Sequence, residues 1–317
     1  MASFLIRRTL LLIPVMFGVT FLIFLALHLA PGNPAQLLLG PMATPSALHA
    51  ITVQLGLNQP LPVQYAKWVG SLLQGNMGQS IQLHEPVTTL VMSKLGNTLV
   101  LAMTSFVIAS VVGIGVGIVA GLKEKTWVDV FTNVAGFMGL SLPVFWLGLI
   151  AILIFGQKLQ WFPVTGMYAV GLPDSVKQLL YHLVLPAVTL AVAPGAVIAQ
   201  LTRVAFLEER HQLYVRTAIA KGLSVKGAAV RHALRNAWIP IITTLGLEIS
   251  YLIGGDVLVE NIFNWPGIGQ LLVQSVLARD YPTILGASVA LSTIFVLVNF
   301  AIDALYPLID PRVSTYG

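Results

Sequence analysis

The sequence predicts an all-α, polytopic membrane protein with about six transmembrane helices. Three observations carry that prediction. Hydrophobic residues fill 56% of the 317 positions and charged residues only 9%, whereas a soluble domain is about a quarter charged. Apolar stretches of roughly 20 residues, enough to cross a hydrocarbon core, recur along the chain. Lys and Arg are unevenly divided between the segments that join those stretches.

The stretches lie near residues 9–30, 97–122, 130–156, 182–202, 238–260 and 283–308. In lipid, backbone groups must bond within their own segment, so each stretch is read as helix and not as open strand. The first follows Arg7 and Arg8 and superficially resembles a secretory signal. It is longer than a signal's apolar region of about 7–15 residues and runs into Pro31-Gly32-Asn33-Pro34 without a clear small-residue cleavage site. It is read as a retained first helix. The fifth contains Glu248 and Asp256 and is the weakest by hydropathy. The chain, 1–317, is taken as one transmembrane domain.

With the N-terminus in the cytoplasm, twelve of the 17 Lys and Arg residues fall inside. Only Lys67, Lys94, Lys158, Lys177 and Arg279 fall outside. That bias places both termini in the cytoplasm. It also accounts for the net charge of +5 without any nucleic-acid partner. The absence of cysteine excludes a disulfide framework and thiolate chemistry.

Two connecting segments are long. The outer one, 31–96, holds Thr44-Pro45 as a helix start and Gly56 as a stop. A second short helix is expected over 61–73, with Tyr65, Trp68, Val69 and Leu72 at helical spacing and Gly75 ending it. Such helices either cap the bundle or receive a partner. The inner segment, 206–237, carries Arg210, Arg216, Lys221, Lys226, Arg231 and Arg235, with no acid between Glu209 and Glu248. Ala218 and Ala220 favour helix, Gly222 breaks it, and Ser224 caps a second helix through Ala228, Ala229 and Ala233. Two readings stay open for this helix–turn–helix: a projecting element that a partner grips, or a basic segment lying on anionic lipid.

Chemistry of other kinds finds little support. No Gly-x-x-x-x-Gly-Lys-Ser/Thr loop is present to cradle phosphates. Gly113, Gly115 and Gly117 lie in the middle of the second span and are read as close helix packing. The six histidines are scattered without metal-ligand spacing. No catalytic residue, metal site or bound cofactor is therefore expected in this chain. Ionisable residues at membrane depth are costly and default to functional roles. Glu248 sits well inside the fifth span and is taken to line a solute pathway. Asp256, Glu260 and Asp303 lie nearer span ends and either line that path, pair with Arg or cap helices.

The inner segment also carries a resemblance. Residues 214–224 (Tyr-Val-Arg-Thr-Ala-Ile-Ala-Lys-Gly-Leu-Ser) and 232–240 (His-Ala-Leu-Arg-Asn-Ala-Trp-Ile-Pro) resemble the "EAA" loop of bacterial ABC importer permeases. More narrowly, they are similar to the dipeptide, oligopeptide, glutathione and nickel permease family. Further matches run in order along the chain. They include Ala30-Pro31-Gly32-Asn33-Pro34, Leu55-Gly56-Leu57, Gln64-Tyr65 and Gly75-Asn76-Met77-Gly78-Gln79-Ser80. Leu142-Pro143-Val144-Phe145-Trp146 and Leu185-Pro186-Ala187 follow. The last are the run from Glu260 to Gly269, Arg279-Asp280-Tyr281-Pro282, and Asp303 with Asp310-Pro311-Arg312.

The resemblance implies the type I ABC importer permease fold in the bacterial inner membrane. It also implies a second homologous permease, two cytosolic ATPase subunits that bind ATP and magnesium, and an extracytoplasmic substrate-binding protein. In that family the inner loop docks into the ATPase as a coupling helix. Carried onto this chain, the coupling residues are Arg216, Thr217, Ala218, Lys221, Gly222, Leu223 and Ser224. Arg216 stands where the general motif has Glu, and Asn33 where an Asp is usual after Pro-Gly. The implied cargo is a di- or oligopeptide, with glutathione or a nickel or other metal chelate as alternatives. A rival of another class, a secondary transporter or channel, calls for inverted repeats or a buried charge relay. Neither is visible in the sequence.

Overall fold

A computed structural model describes residues 2–29, 44–54, 56, 58–169, 171 and 175–309. The motif residues 30–34, Leu55, Leu57 and 310–312 lie outside them. The described chain is helical: α1 Ala2–Leu29, α2 Pro45–Gln54, α3 Leu61–Leu73 and α4 Val87–Leu122. Next come α5 Trp127–Ser141, α6 Val144–Ala151 with a wide π-helical turn Ile152–Lys158, and α7 Val176–Arg210. The inner segment holds α8 Leu213–Ala220 and α9 Val225–Ala228, which passes through a π-helical turn Ala229–Ala233 into α10 Leu234–Ile262. The chain continues with α11 Ile268–Ala278 and α12 Tyr281–Ile309.

Five of these helices are long and apolar enough to cross a membrane, and α5 with α6 makes a sixth if the pair counts as one span. That pair is bent by 104° where the sequence reading has one span over 130–156. The break lies at Leu142-Pro143. Leu142 is extended (φ −85°, ψ 128°), as a residue before proline prefers, and Pro143 offers no N–H to continue the ladder. Elsewhere hydropathy marks only the apolar part of a helix. The stretch at 97–122 is the C-terminal part of the 36-residue α4, and that at 182–202 is the middle of the 35-residue α7.

Contacts divide the chain into two units: 98–266 with the part of α12 from 297, and 2–97 with 267–296. The first unit is centred on α7. A Cβ added at Gly113 would lie 2.7 Å from the Gly195 carbonyl oxygen, and one at Gly117 would lie 2.5 Å from that of Ala199. One at Gly121 would lie 2.6 Å from the Phe206 ring. Spacing of four places these three glycines on one face of α4, which lets two backbones approach closely. Gly115 faces open space and takes no part. Gly139 of α5 meets Val192 of α7, and Gly148 of α6 meets Phe263. Leu101, Leu183, Leu190, Leu252, Phe263 and Trp265 fill the buried centre.

In the second unit, Tyr65 of α3 is buried among Phe17, Phe21 and Phe24 of α1, ring centroids 5.4–5.6 Å apart. Its hydroxyl lies 2.8 Å from Thr20 Oγ1. The apolar spacing of α3 therefore serves packing against α1. Val87, Leu90 and Val91 of α4 pack with Ile268 and Leu271 of α11 and Ala287 of α12. One buried carboxylate, Asp280, holds the 78–84 turn. It accepts from Ser80 Oγ, from Ile81 N at 3.1 Å and from Thr283 Oγ1 at 2.8 Å. Two of the motifs that carry the resemblance, 200 residues apart, thus meet at one side chain.

Candidate functional site

The helix–turn–helix expected over the inner segment is present, and its geometry follows from single residues. The helix α8 ends at Lys221, and Gly222 turns the chain with φ +98°, a region open to glycine. Leu223 N bonds back to Ala218 O at 3.2 Å and Gly222 N to Ile219 O at 2.9 Å, which satisfies carbonyls at the helix end. Ser224 then caps α9, its Oγ accepting from Gly227 N at 3.1 Å. A Cβ at Gly222 would meet no atom within 4 Å, so conformation and not space demands glycine there.

The element has a buried inner side and an open outer side. Val215, Ala228, Ala229 and Ala233 pack on Phe206 of α7, flanked by Leu122, Ala218, Ile219 and Leu223. Alanines allow the short helices to sit close on that ring. Facing outward are Leu213, Arg216, Thr217, Lys221, Gly222 and Ser224. Leu213 is 77% exposed, an unusual position for a large apolar residue at the end of a helix that has a core available to it. Of the seven expected coupling residues, Ala218 and Leu223 anchor the element and the other five lie on its open side.

Polar ties that the sequence does not display fix this element, and the end of α7 that carries it, to their neighbours. The Tyr214 hydroxyl donates to Glu209 at the end of α7 and accepts from Asn236 Nδ2 of α10 at 2.9 Å. Burial and then the Glu209 carboxylate push this phenol above its ordinary value, so it stays protonated. Arg210 Nη1 donates to Gly121 O at 2.8 Å, and Glu124 sits 3.3 Å from His211 Nε2. Arg203 forms a two-pronged pair with Asp129, its Nη2 lying 2.9 Å from Oδ2. Asp129 also accepts from Lys125 N and Asn133 Nδ2, both at 3.0 Å. An acid in the first turn of α5 is a visible helix-start signal. Its partner 74 residues away is not.

The acids of the fifth span separate clearly. Glu248 is half-buried at the middle of α10 and has no hydrogen bond or ion pair among the described residues. Glu260 is fully buried and accepts from Thr98 Oγ1 of α4 at 2.6 Å. Its role is structural. Asp303 is half-buried on α12. The Asp256 side chain lies outside the described residues.

A multi-pass helical protein with a folded basic element between two of its spans and a mid-span carboxylate, Glu248, that has no partner among the described residues has the features of a membrane permease. Comparison with known proteins agrees. Residues 1–102 match the family described as the N-terminal part of the binding-protein-dependent transport system membrane component. Residues 113–315 match the binding-protein-dependent transport system inner membrane component. The dipeptide transport system permease protein of Alkalihalophilus pseudofirmus is 38% identical, over 99% of this chain and 100% of its own length. The oligopeptide transport system permease protein of Bacillus subtilis is 39% identical over the same shares. The glutathione transport system permease protein of Escherichia coli is 39% identical over 99% of each chain. The chain belongs to the binding-protein-dependent transport system inner membrane component family, the permease subunits of ABC transporters.

Proposed function

We propose that this chain is one of two pore-forming permease subunits of an ATP-driven importer of di- or oligopeptides, glutathione included. It lies in the bacterial inner membrane with both termini in the cytoplasm. Two cytosolic ATPase subunits, binding ATP and magnesium, drive it, and an extracytoplasmic binding protein delivers cargo. This chain supplies path and lever; hydrolysis belongs to the ATPases.

The observation that carries the proposal is the two-sided element at 213–233. Its inner side is packed on α7 and α10, so a displacement of the element moves both spans. Its outer side offers Leu213, Arg216, Thr217 and Lys221 to a partner with an apolar notch and acidic rim. Lys221, Gly222 and Ser224 form the turn that sets the angle of α8. Closure of the ATPases on ATP draws the two docked elements together and opens the path towards the binding protein; hydrolysis resets it. Glu248 faces that path, because a carboxylate left in lipid costs a few kcal/mol. The 38–39% identity to dipeptide, oligopeptide and glutathione permeases supports the cargo class.

The test is co-expression with the neighbouring genes of its operon. The chain should co-purify with a second permease and an ATPase. The purified chain alone should not hydrolyse ATP. Robust turnover by this chain alone, or stable assembly without any ATPase, would refute the proposal.

A further inference from the structure

Packing fixes where α8 sits but not its roll about its own axis. Successive residues step about 100° around a helix. Val215, Ala218 and Ile219 fall on one side and pack with Phe206 of α7. Leu213, Arg216 and Thr217 fall on the other side and are exposed. Leu213, 77% exposed, is larger than the buried Val215 two positions on. Burial is non-directional and scales with apolar area, so it does not oppose a roll that brings Leu213 towards the Phe206 core.

Tyr214 lies on the flank between these two sides. Its hydroxyl donates to the Glu209 carboxylate of α7 and accepts from Asn236 Nδ2 of α10 at 2.9 Å. Hydrogen bonds, unlike apolar contacts, weaken steeply when misaligned, and one to a carboxylate is stronger than a neutral one. A single oxygen thus holds one flank of α8 against two long helices. Thr217 makes no such tie: its Oγ1 donates to Leu213 O at 2.9 Å, within α8 itself.

We infer that Tyr214 is a positioning residue of the coupling element: its hydroxyl, held by Glu209 and Asn236, sets the roll of α8. It thereby sets how Leu213, Arg216 and Thr217 are presented to the ATPase. This rests on the reading that the element at 213–233 docks on the ATPase. It adds the joint through which the load passes. With the hydroxyl in place, a pull on the docked face of α8 displaces α7 and α10 together. Without it, α8 rolls on its apolar bed, the spans stay behind, and ATP is hydrolysed without matching uptake.

The experiment measures dipeptide uptake per ATP hydrolysed by the assembled transporter in liposomes with saturating binding protein. Tyr214→Phe removes both bonds and keeps the ring; it should lower this ratio at least five-fold while basal ATP turnover persists. Glu209→Gln keeps an acceptor for the hydroxyl and should stay within two-fold of wild type. Asn236→Leu removes one bond and should lower the ratio at least two-fold. The double variant should be no worse than Tyr214→Phe alone, because both changes act through one oxygen. Where Tyr214→Phe does not assemble, Asn236→Leu carries the test against its own two-fold threshold. A smaller loss in Tyr214→Phe, a Glu209→Gln ratio as low as that of Tyr214→Phe, or single losses that multiply in the double variant overturns the joint. Gly222→Val, run alongside, separates the two readings. If it is uncoupled while Tyr214→Phe stays coupled, the docking element stands and the joint falls; if both stay coupled, both readings fall.

Discussion

Asp280 shows what a single side chain does in this fold. It is 2% exposed, yet its carboxylate accepts from the Ile81 and Gln82 backbone amides and from the Ser80 and Thr283 hydroxyls. Hydrogen bonds to a charged acceptor contribute about 1.5–3 kcal/mol each, and a buried donor left without a partner costs about 1–3 kcal/mol. Asp280→Ala should therefore destabilise the 78–84 turn by several kcal/mol in aggregate. Limited proteolysis of the purified protein should show new cleavage in that turn, and an unchanged digestion pattern would contradict the role. The sequence displayed Asp280 only as part of a motif; nothing local says that Ser80 and Ile81 are its partners. Gly222 is the opposite case. Its position after an alanine-rich helix and before Ser224 announced a break between two helices, because helix ends and caps are local chemistry, and the turn there has φ +98°. Tyr214 lay in the quoted motif without a role, since its two partners come from helices that only the tertiary fold brings near.

At the scale of elements, the glycines of α4 were legible as packing residues, but not which of them pack. Gly113, Gly117 and Gly121 abut α7, while Gly115 does not. That depends on which face of α4 turns inward, and a helix apolar all round gives no sign of it. Gly117→Ala places a methyl 2.5 Å from the Ala199 backbone oxygen. The helices must separate, at a cost of about 1–3 kcal/mol. Gly115→Ala meets nothing and should be neutral or stabilising by up to about 1 kcal/mol. Thermal unfolding in detergent distinguishes them: the Gly117 variant should lose several degrees in midpoint and the Gly115 variant none. Equal midpoints would mean that α4 does not pack on α7 through this face. The bend at Leu142-Pro143 was less legible. Hydropathy runs unbroken across it, and only the proline marks it. The extent of α4 beyond its apolar part was hidden for a related reason: Ser93, Lys94 and Asn97 lower hydropathy without ending a helix.

For the whole molecule, composition was enough to give the class, because lipid leaves the backbone so few options. Orientation rests on charge. Single cysteines at Gln79 and Lys226, both exposed, should react with impermeant reagents from the periplasmic and cytoplasmic sides respectively, and the reverse pattern would invert the topology. The coupling claim is tested most directly at Gly222. With φ +98° and open space around it, Gly222→Val adds no clash but forbids the backbone its turn, at a cost of about 1–2 kcal/mol or more. That cost spares the spans, whose packing lies elsewhere, and tilts α8 on its anchor. The decisive measurement is transport per ATP hydrolysed by the reconstituted Gly222→Val transporter, with and without binding protein. Membrane insertion and ATP turnover should persist, while transport and its stimulation by binding protein fall sharply. A Gly222→Val transporter that couples hydrolysis to uptake as the wild type does would contradict the account.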